Sequence, residues 1–179
     1  MEKVAIQLWK NSNLDAIDFK NFLINEVPRS LKDHISGYQV NLADEDVKEA
    51  AGLIQSCYPP SPNAIIFLKV KNFFHFEQKL SIFESHAKNF FSYIVSESKI
   101  IEADDSKNLN RRTDGFSQIV FLEKPKNIDS FDWFDHWTHH HTEIAIKTQS
   151  NFIYTQNTVV RKINKESPNF IAIIEECFQ

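Results

Sequence analysis

Four of the seven histidines in this 179-residue chain, His136, His139, His140 and His141, fall within six consecutive positions of the stretch "FDWFDHWTHHHTEIA", residues 131 to 145. Imidazole is the side chain whose ordinary pKa lies nearest neutral pH, so a cluster of this kind suits proton transfer or metal binding. As a helix over 129–148 capped by Asp129, the stretch puts Trp133, Trp137, His141 and Ile144 on one stripe facing a sheet. His141 is then the inward histidine. An imidazole among aromatic rings has a tunable pKa and can act as general acid or base on a bound molecule. The alternative is a core histidine bonded to backbone carbonyls or to Tyr154. His136 and His140 lie four apart on a flank, a spacing that can share a zinc ion, but HxxxH lacks the glutamate of HExxH. Glu143 on the same helix could reach such an ion. No metal site and no haem pocket is marked, so no cofactor is expected, with zinc and haem open as alternatives. His139 sits with Asp132, Asp135 and Glu143 and is expected to face water.

These side chains need elements to hold them. "EKVAIQLWK" (2 to 10) reads as a strand. Asp15 caps a helix whose apolar side carries Phe19, Phe22, Leu23 and Val27, and Pro28 interrupts or kinks it. Gly37 ends the helical region. "YQVNLA" is a second strand, "DEDVKEAAGLIQSC" a short amphipathic helix, and "AIIFLKV" a third, buried strand. A long helix follows, with Phe76, Leu80, Phe83, Ala87 and Phe90 on one stripe. "SYIVSESKIIE" is a fourth strand. This is β-α-β-β-α-β, the ferredoxin-like unit.

The pattern then returns. "NLDAIDF" (13 to 19) matches "NIDSFDW" (127 to 133), "YQVN" (38 to 41) matches "YTQN" (154 to 157), and "PNAIIFL" (62 to 68) matches "PNFIAII" (168 to 174), in the same order. The expected fold is therefore α+β: ferredoxin-like units duplicated in tandem in a dimeric α/β-barrel-like arrangement. The expected divisions are 1–102, a polar linker 103–114, and 115–179, with Gly115 opening the second copy. The second copy stops after "PNFIAIIEECFQ", without a counterpart of residues 72 to 102. A sheet left open in this way invites pairing through its edge, so a homodimer is expected. The first copy has Val27-Pro28 where the second has His141-Thr142, so the histidine occurs once and one functional cleft is expected.

Composition removes other classes. With three glycines, Gly37, Gly52 and Gly115, the chain has no GxGxxG, GxxxxGK[ST] or GxSxG turn. The net charge of −4 gives no electrostatic reason to expect nucleic acid. Cys57 and Cys177 lack a CxxC spacing, which suits a reducing compartment. "MEKVAIQLWK" is too short and charged for a signal peptide, and no apolar run suits a membrane span. A soluble, cytoplasmic protein is expected.

The strand "FLEKP", the helix "FDWFDHWTHHHTEIA" with Trp137-x3-His141, the pair Tyr154-x-x-Asn157, and "YQVNLADEDV" together resemble EthD-like proteins of the dimeric α+β barrel superfamily, in members with two tandem copies. The resemblance implies two ferredoxin-like units packed sheet to sheet and a cleft that takes small, often aromatic or polyketide-like molecules. It further implies a cofactor-free oxidoreductase or a lyase or cyclase acting on a small hydrophobic oxygenated molecule. His141 would be the general acid or base. Trp133, Trp137 and Phe121 would wall the site, and Tyr154 would position the substrate. The alternative is a non-catalytic ligand-binding or dimerisation module in which His141 is structural and these aromatics are core.

Overall fold

The computed structural model describes residues 1–55, 60–103 and 111–179. Cys57 and residues 104–110 of the expected linker, including Asp104 and Asp105, lie outside the described residues. The chain is α+β. It divides into two compact units, Met1–Ser96 with Val160–Pro168, and Glu97–Val159 with Asn169–Gln179. Among the described residues no helix is long and apolar enough to cross a membrane.

The first unit begins with β1 (Glu2–Lys10), then α1 (Ala16–Asn21), a π-helical turn Phe22–Glu26, and α2 (Val27–Leu31). β2 (Ile35–Leu42), a 3-10 segment Glu45–Leu53 and β3 (Ala64–Val70) follow. α3 (Phe73–Phe76) runs into a 3-10 segment Glu77–Phe83, and β4 (Ala87–Ile101) comes last. The strand order is β2-β3-β1-β4 and the pairings are antiparallel, the β-α-β-β-α-β connectivity. One sheet face presents cross-strand rungs of apolar residues: Val4–Leu68–Tyr38, Ile6–Ile66–Val40 and Leu8–Ala64–Leu42. Phe19, Phe22, Leu23, Val27 and Leu31 from the first helical run, and Phe73, Phe76, Leu80 and Phe83 from the second, complete this core.

Three expectations for this unit change. The long helix through Phe90 is short. The His86 amide bonds back to the Phe83 carbonyl at 3.1 Å and closes a 3-10 turn, so Ala87 and Phe90 belong to β4. There the β-branched and aromatic run "NFFSYIV" suits a pleated surface better than a helix. The segment after β2 is 3-10 rather than α and has no buried side chain, so nothing apolar holds it to a helix face. Gly37 lies inside β2. Residues 160–168 join this unit through a polar knot: the Ile163 amide donates to the Ser92 carbonyl at 2.8 Å, Ser92 Oγ bonds to Asn164 Oδ1, and Tyr93 donates to the Pro168 carbonyl.

The second unit holds β5 (Phe116–Leu122), α4 (Ser130–Asp135), a π-helical turn His136–His141, α5 (Thr142–Thr148), β6 (Ile153–Lys162) as far as Val159, and β7 (Ala172–Phe178). Its strand order is β6-β7-β5, antiparallel. Gly115 precedes β5 at φ 92°, where a Cβ would lie 1.9 Å from the Phe178 carbonyl oxygen, so no other residue fits unaltered. Trp137, Ala145, Tyr154, Ala172 and Ile174 form the core, with Trp133, Phe134, Val120 and Leu122 packed against it.

The loops before the two helices share their chemistry. Lys10 Nζ donates to the Leu14 carbonyl and Lys124 Nζ to the Ile128 carbonyl. Asp15 accepts from the Asp18 amide at 2.7 Å and Asp129 from the Phe131 amide at 2.8 Å, each satisfying a donor the helix start leaves open. Both helices then widen into a π turn at the same distance from the cap.

In the first unit proline explains that turn. Pro28 has no amide hydrogen, and its ring would clash with the carbonyl four residues back. The chain bulges, the Val27 amide reaches back five residues to Phe22, and the Leu23 carbonyl is left without its helical donor. The Tyr38 hydroxyl fills that vacancy at 2.6 Å. Burial pushes the Tyr38 phenol well above the ordinary tyrosine range, so it stays a donor. Tyr38→Phe therefore leaves a carbonyl unpaired and is expected to cost about 1–2 kcal/mol in urea unfolding. A variant as stable as the wild type would show that water takes over the bond.

Candidate functional site

The site expected from sequence lies on the helix run α4–α5 and the sheet beneath it. The π turn governs which side chains point down. Trp133 is half-buried and Trp137 is 3% exposed, with ring centroids 5.3 Å apart, so the first half of the stripe is as expected. Past the turn the register advances by one residue. The Thr142 amide bonds to the Trp137 carbonyl five residues back, and the Thr142 hydroxyl donates to the same oxygen at 2.9 Å. Thr142 and Ala145 are buried, while His141 and Ile144 are exposed. The expectation that His141 and Ile144 face the sheet is thus corrected: a 3.6-residue period carried through a π turn points one residue too early.

Tyr154 is fully buried on β6 beside Gln156. The Gln156 side-chain amide donates to the Tyr154 hydroxyl at 2.9 Å and to Thr142 Oγ1 at 2.7 Å. Tyr38 and Tyr154 thus differ because of one residue on the helix. Where Pro28 leaves a carbonyl for Tyr38, Thr142 supplies its own amide and hydroxyl, and Tyr154 is released to bond Gln156. Phe121 is half-buried on the opposite sheet face. It sits in the rung with Ile173 and Asn157, against Phe170 at 5.2 Å, and is not brought together with the tryptophans.

The largest contrast with the first unit is on the sheet. The rung Val4–Leu68–Tyr38 corresponds to Gln118–Glu176–Tyr154, and Ile6–Ile66–Val40 to Val120–Ile174–Gln156. Glu176 takes the place of a leucine and is only 7% exposed. Burial pushes its carboxyl above the ordinary glutamate range, and the nearby His141 imidazole and a hydrogen bond from Asn151 pull it partly back. Asn151 Nδ2 donates to Glu176 Oε1 at 3.3 Å. The Oδ1 of Asn151 and the indole N–H of Trp137 are both buried without a hydrogen-bond partner among the described residues. A carboxyl beside an imidazole is an arrangement that can pass a proton between the two groups or to a bound molecule.

The other three histidines of the cluster, His136, His139 and His140, are exposed. His139 Nδ1 lies 3.0 Å from Asp135 at the surface. The rings of His136 and His140 stack at 5.6 Å. Among the described residues no three His, Cys, Asp or Glu side chains gather as a metal-binding group. Glu176, Asn151, Gln156 and Thr142 were not picked out by sequence reasoning. The available signal was the two glutamates interrupting the apolar run "FIAIIEECF" at the place where β3 reads "AIIFLKV".

No protein-family model matches the chain, and no curated protein matches it. The site therefore rests on its own geometry.

Because the folded pKa of Glu176 lies above its unfolded value, the folded state binds this proton more tightly. The resulting stabilisation is complete below the unfolded value, about 4.3, and is lost as pH rises through the folded value. Glu176→Gln carries no such proton. Its melting midpoint is expected to gain on the wild type as pH is raised from the acid side through the carboxyl range. A difference that stays constant with pH would contradict the buried position of the carboxyl.

Proposed function

We propose that the chain is a tandem EthD-like protein of the dimeric α+β barrel superfamily, built from two ferredoxin-like units. We propose further that it works in the cytoplasm as a cofactor-independent enzyme of oxidoreductase or lyase/cyclase type. Its substrate is a small hydrophobic oxygenated molecule, and two chains associate through an open sheet edge. What supports the duplication is the agreement of caps, lysine-bonded loops, π turns and sheet rungs between the two units. The single observation that carries the functional reading is the buried carboxyl of Glu176 in the rung Gln118–Glu176–Tyr154, where the first unit's rung Val4–Leu68–Tyr38 has a leucine. Burying a carboxyl where an apolar side chain would pack costs stability, and buried titratable groups of this kind gather at functional sites.

In this reading His141, at the exposed edge of the helix, exchanges the proton with the substrate. Trp133 offers a half-buried aromatic wall, with Trp137 and Tyr154 as its backing. A second reading is a non-catalytic ligand-binding module. It is favoured by the burial of Trp137 and Tyr154, neither of which offers much surface to a substrate as it stands.

The test is to follow the four ring signals of His136, His139, His140 and His141 by NMR, adding phenol as probe and assigning His141 by its absence in His141→Ala. The expected result is a phenol-dependent displacement of the His141 titration, with the other three unmoved. A His141 titration indifferent to phenol at saturating concentration would sink the enzyme reading.

A further inference from the structure

We propose that Glu176 and Asn151 form an acceptor pair that binds the hydroxyl of a small aromatic or enolic molecule, with His141 at its rim. The inference deepens the proposed function by naming the substrate group and the residues that hold it.

Three observations meet here. Glu176 is a carboxylate at 7% exposure in a rung position filled by leucine in the other unit, so packing does not require it. Its own partner, Asn151, uses its amide hydrogens on Glu176 and Gln149, at 3.3 and 3.2 Å. That leaves Asn151 Oδ1 buried and unpaired among the described residues. Turning the amide over would give up both of those donated hydrogen bonds. A buried acceptor beside a carboxylate oxygen calls for a donor from outside the protein.

The identity of that donor follows from the rim. His141 is exposed and close enough to Glu176 to act on its charge. When protonated it repels an ammonium group but not a hydroxyl. A phenol or enol O–H donates one hydrogen bond to the acceptors, and its oxygen can in turn accept from the imidazole. The half-buried Trp133, packed against Trp137, supplies aromatic surface on the same helix run.

The experiment compares phenol with anisole, which has the same ring and no donor, by NMR shift titration on the intact chain. The wild type is expected to bind phenol at least about tenfold more tightly than anisole, and Glu176→Gln to lose about tenfold for phenol alone, as a hydrogen bond to a charged group implies. Because Glu176→Gln can disturb folding, Glu176→Leu serves as the second variant. It restores the residue of the other unit, and is expected to raise the melting midpoint while abolishing the preference for phenol. Equal affinity for phenol and anisole overturns the inference, as does undiminished phenol binding by Glu176→Gln, even where the His141 signal still responds to phenol. A less stable Glu176→Leu shows a structural carboxylate and overturns it too. If phenol binds neither variant nor wild type and His141 is unmoved, the proposed function fails together with the inference.

Discussion

The bond from the Thr142 amide to the Trp137 carbonyl, five residues back instead of four, is the constraint on which the second unit's helix face depends. One added residue in a turn rotates everything after it by about a quarter of the helix circumference. That rotation buries Thr142 and Ala145 and brings out His141 and Ile144. It also brings the Thr142 hydroxyl to the Gln156 amide, and through Gln156 to Tyr154. Without the turn, an imidazole would have to be accommodated beneath the helix.

The two units carry different residues at the corresponding point of their π turns. In the first, Pro28 removes a donor and Tyr38 replaces it, so the tyrosine is committed to the backbone. In the second, Thr142 carries both an amide and a hydroxyl, and the tyrosine is free to enter a side-chain network. The sheet faces differ too: Glu176 and Gln156 are buried where the first unit has Leu68 and Val40, and the exposed Gln118 stands where Val4 does. A buried network of this kind is stable only when each member finds a partner. Here Gln156 and Asn151 each donate two hydrogen bonds through the side-chain amide, and the buried Asn151 Oδ1, without a partner among the described residues, places the incompleteness beside Glu176.

Much of the backbone was legible in the sequence. β1 and β3 have the expected limits because their apolar runs are bounded by charge and turn residues. Asp15 and Asp129 cap as expected because a carboxylate before an apolar periodic run has one favourable local use. The outward orientation of His141 was not legible, because Thr142 gives no local sign that it will donate twice to a carbonyl behind it. Glu176 was missed because "PNFIAII" was matched to "PNAIIFL" two residues out of the register seen in the strands, in which Ala172 stands where Ala64 does. A shift of two keeps the faces and moves the rungs, which hid the exchange of leucine for glutamate.

The register past the π turn is tested most directly by proton–proton NOE measurement at the Gln156 side-chain amide. With Thr142 Oγ1 at 2.7 Å from that nitrogen, cross-peaks are expected between the Gln156 amide protons and the Thr142 side chain, and none to the His141 ring. Cross-peaks from Gln156 to His141, with Thr142 silent, would mean that the helix continues without the extra residue, and the arrangement of the site would be wrong.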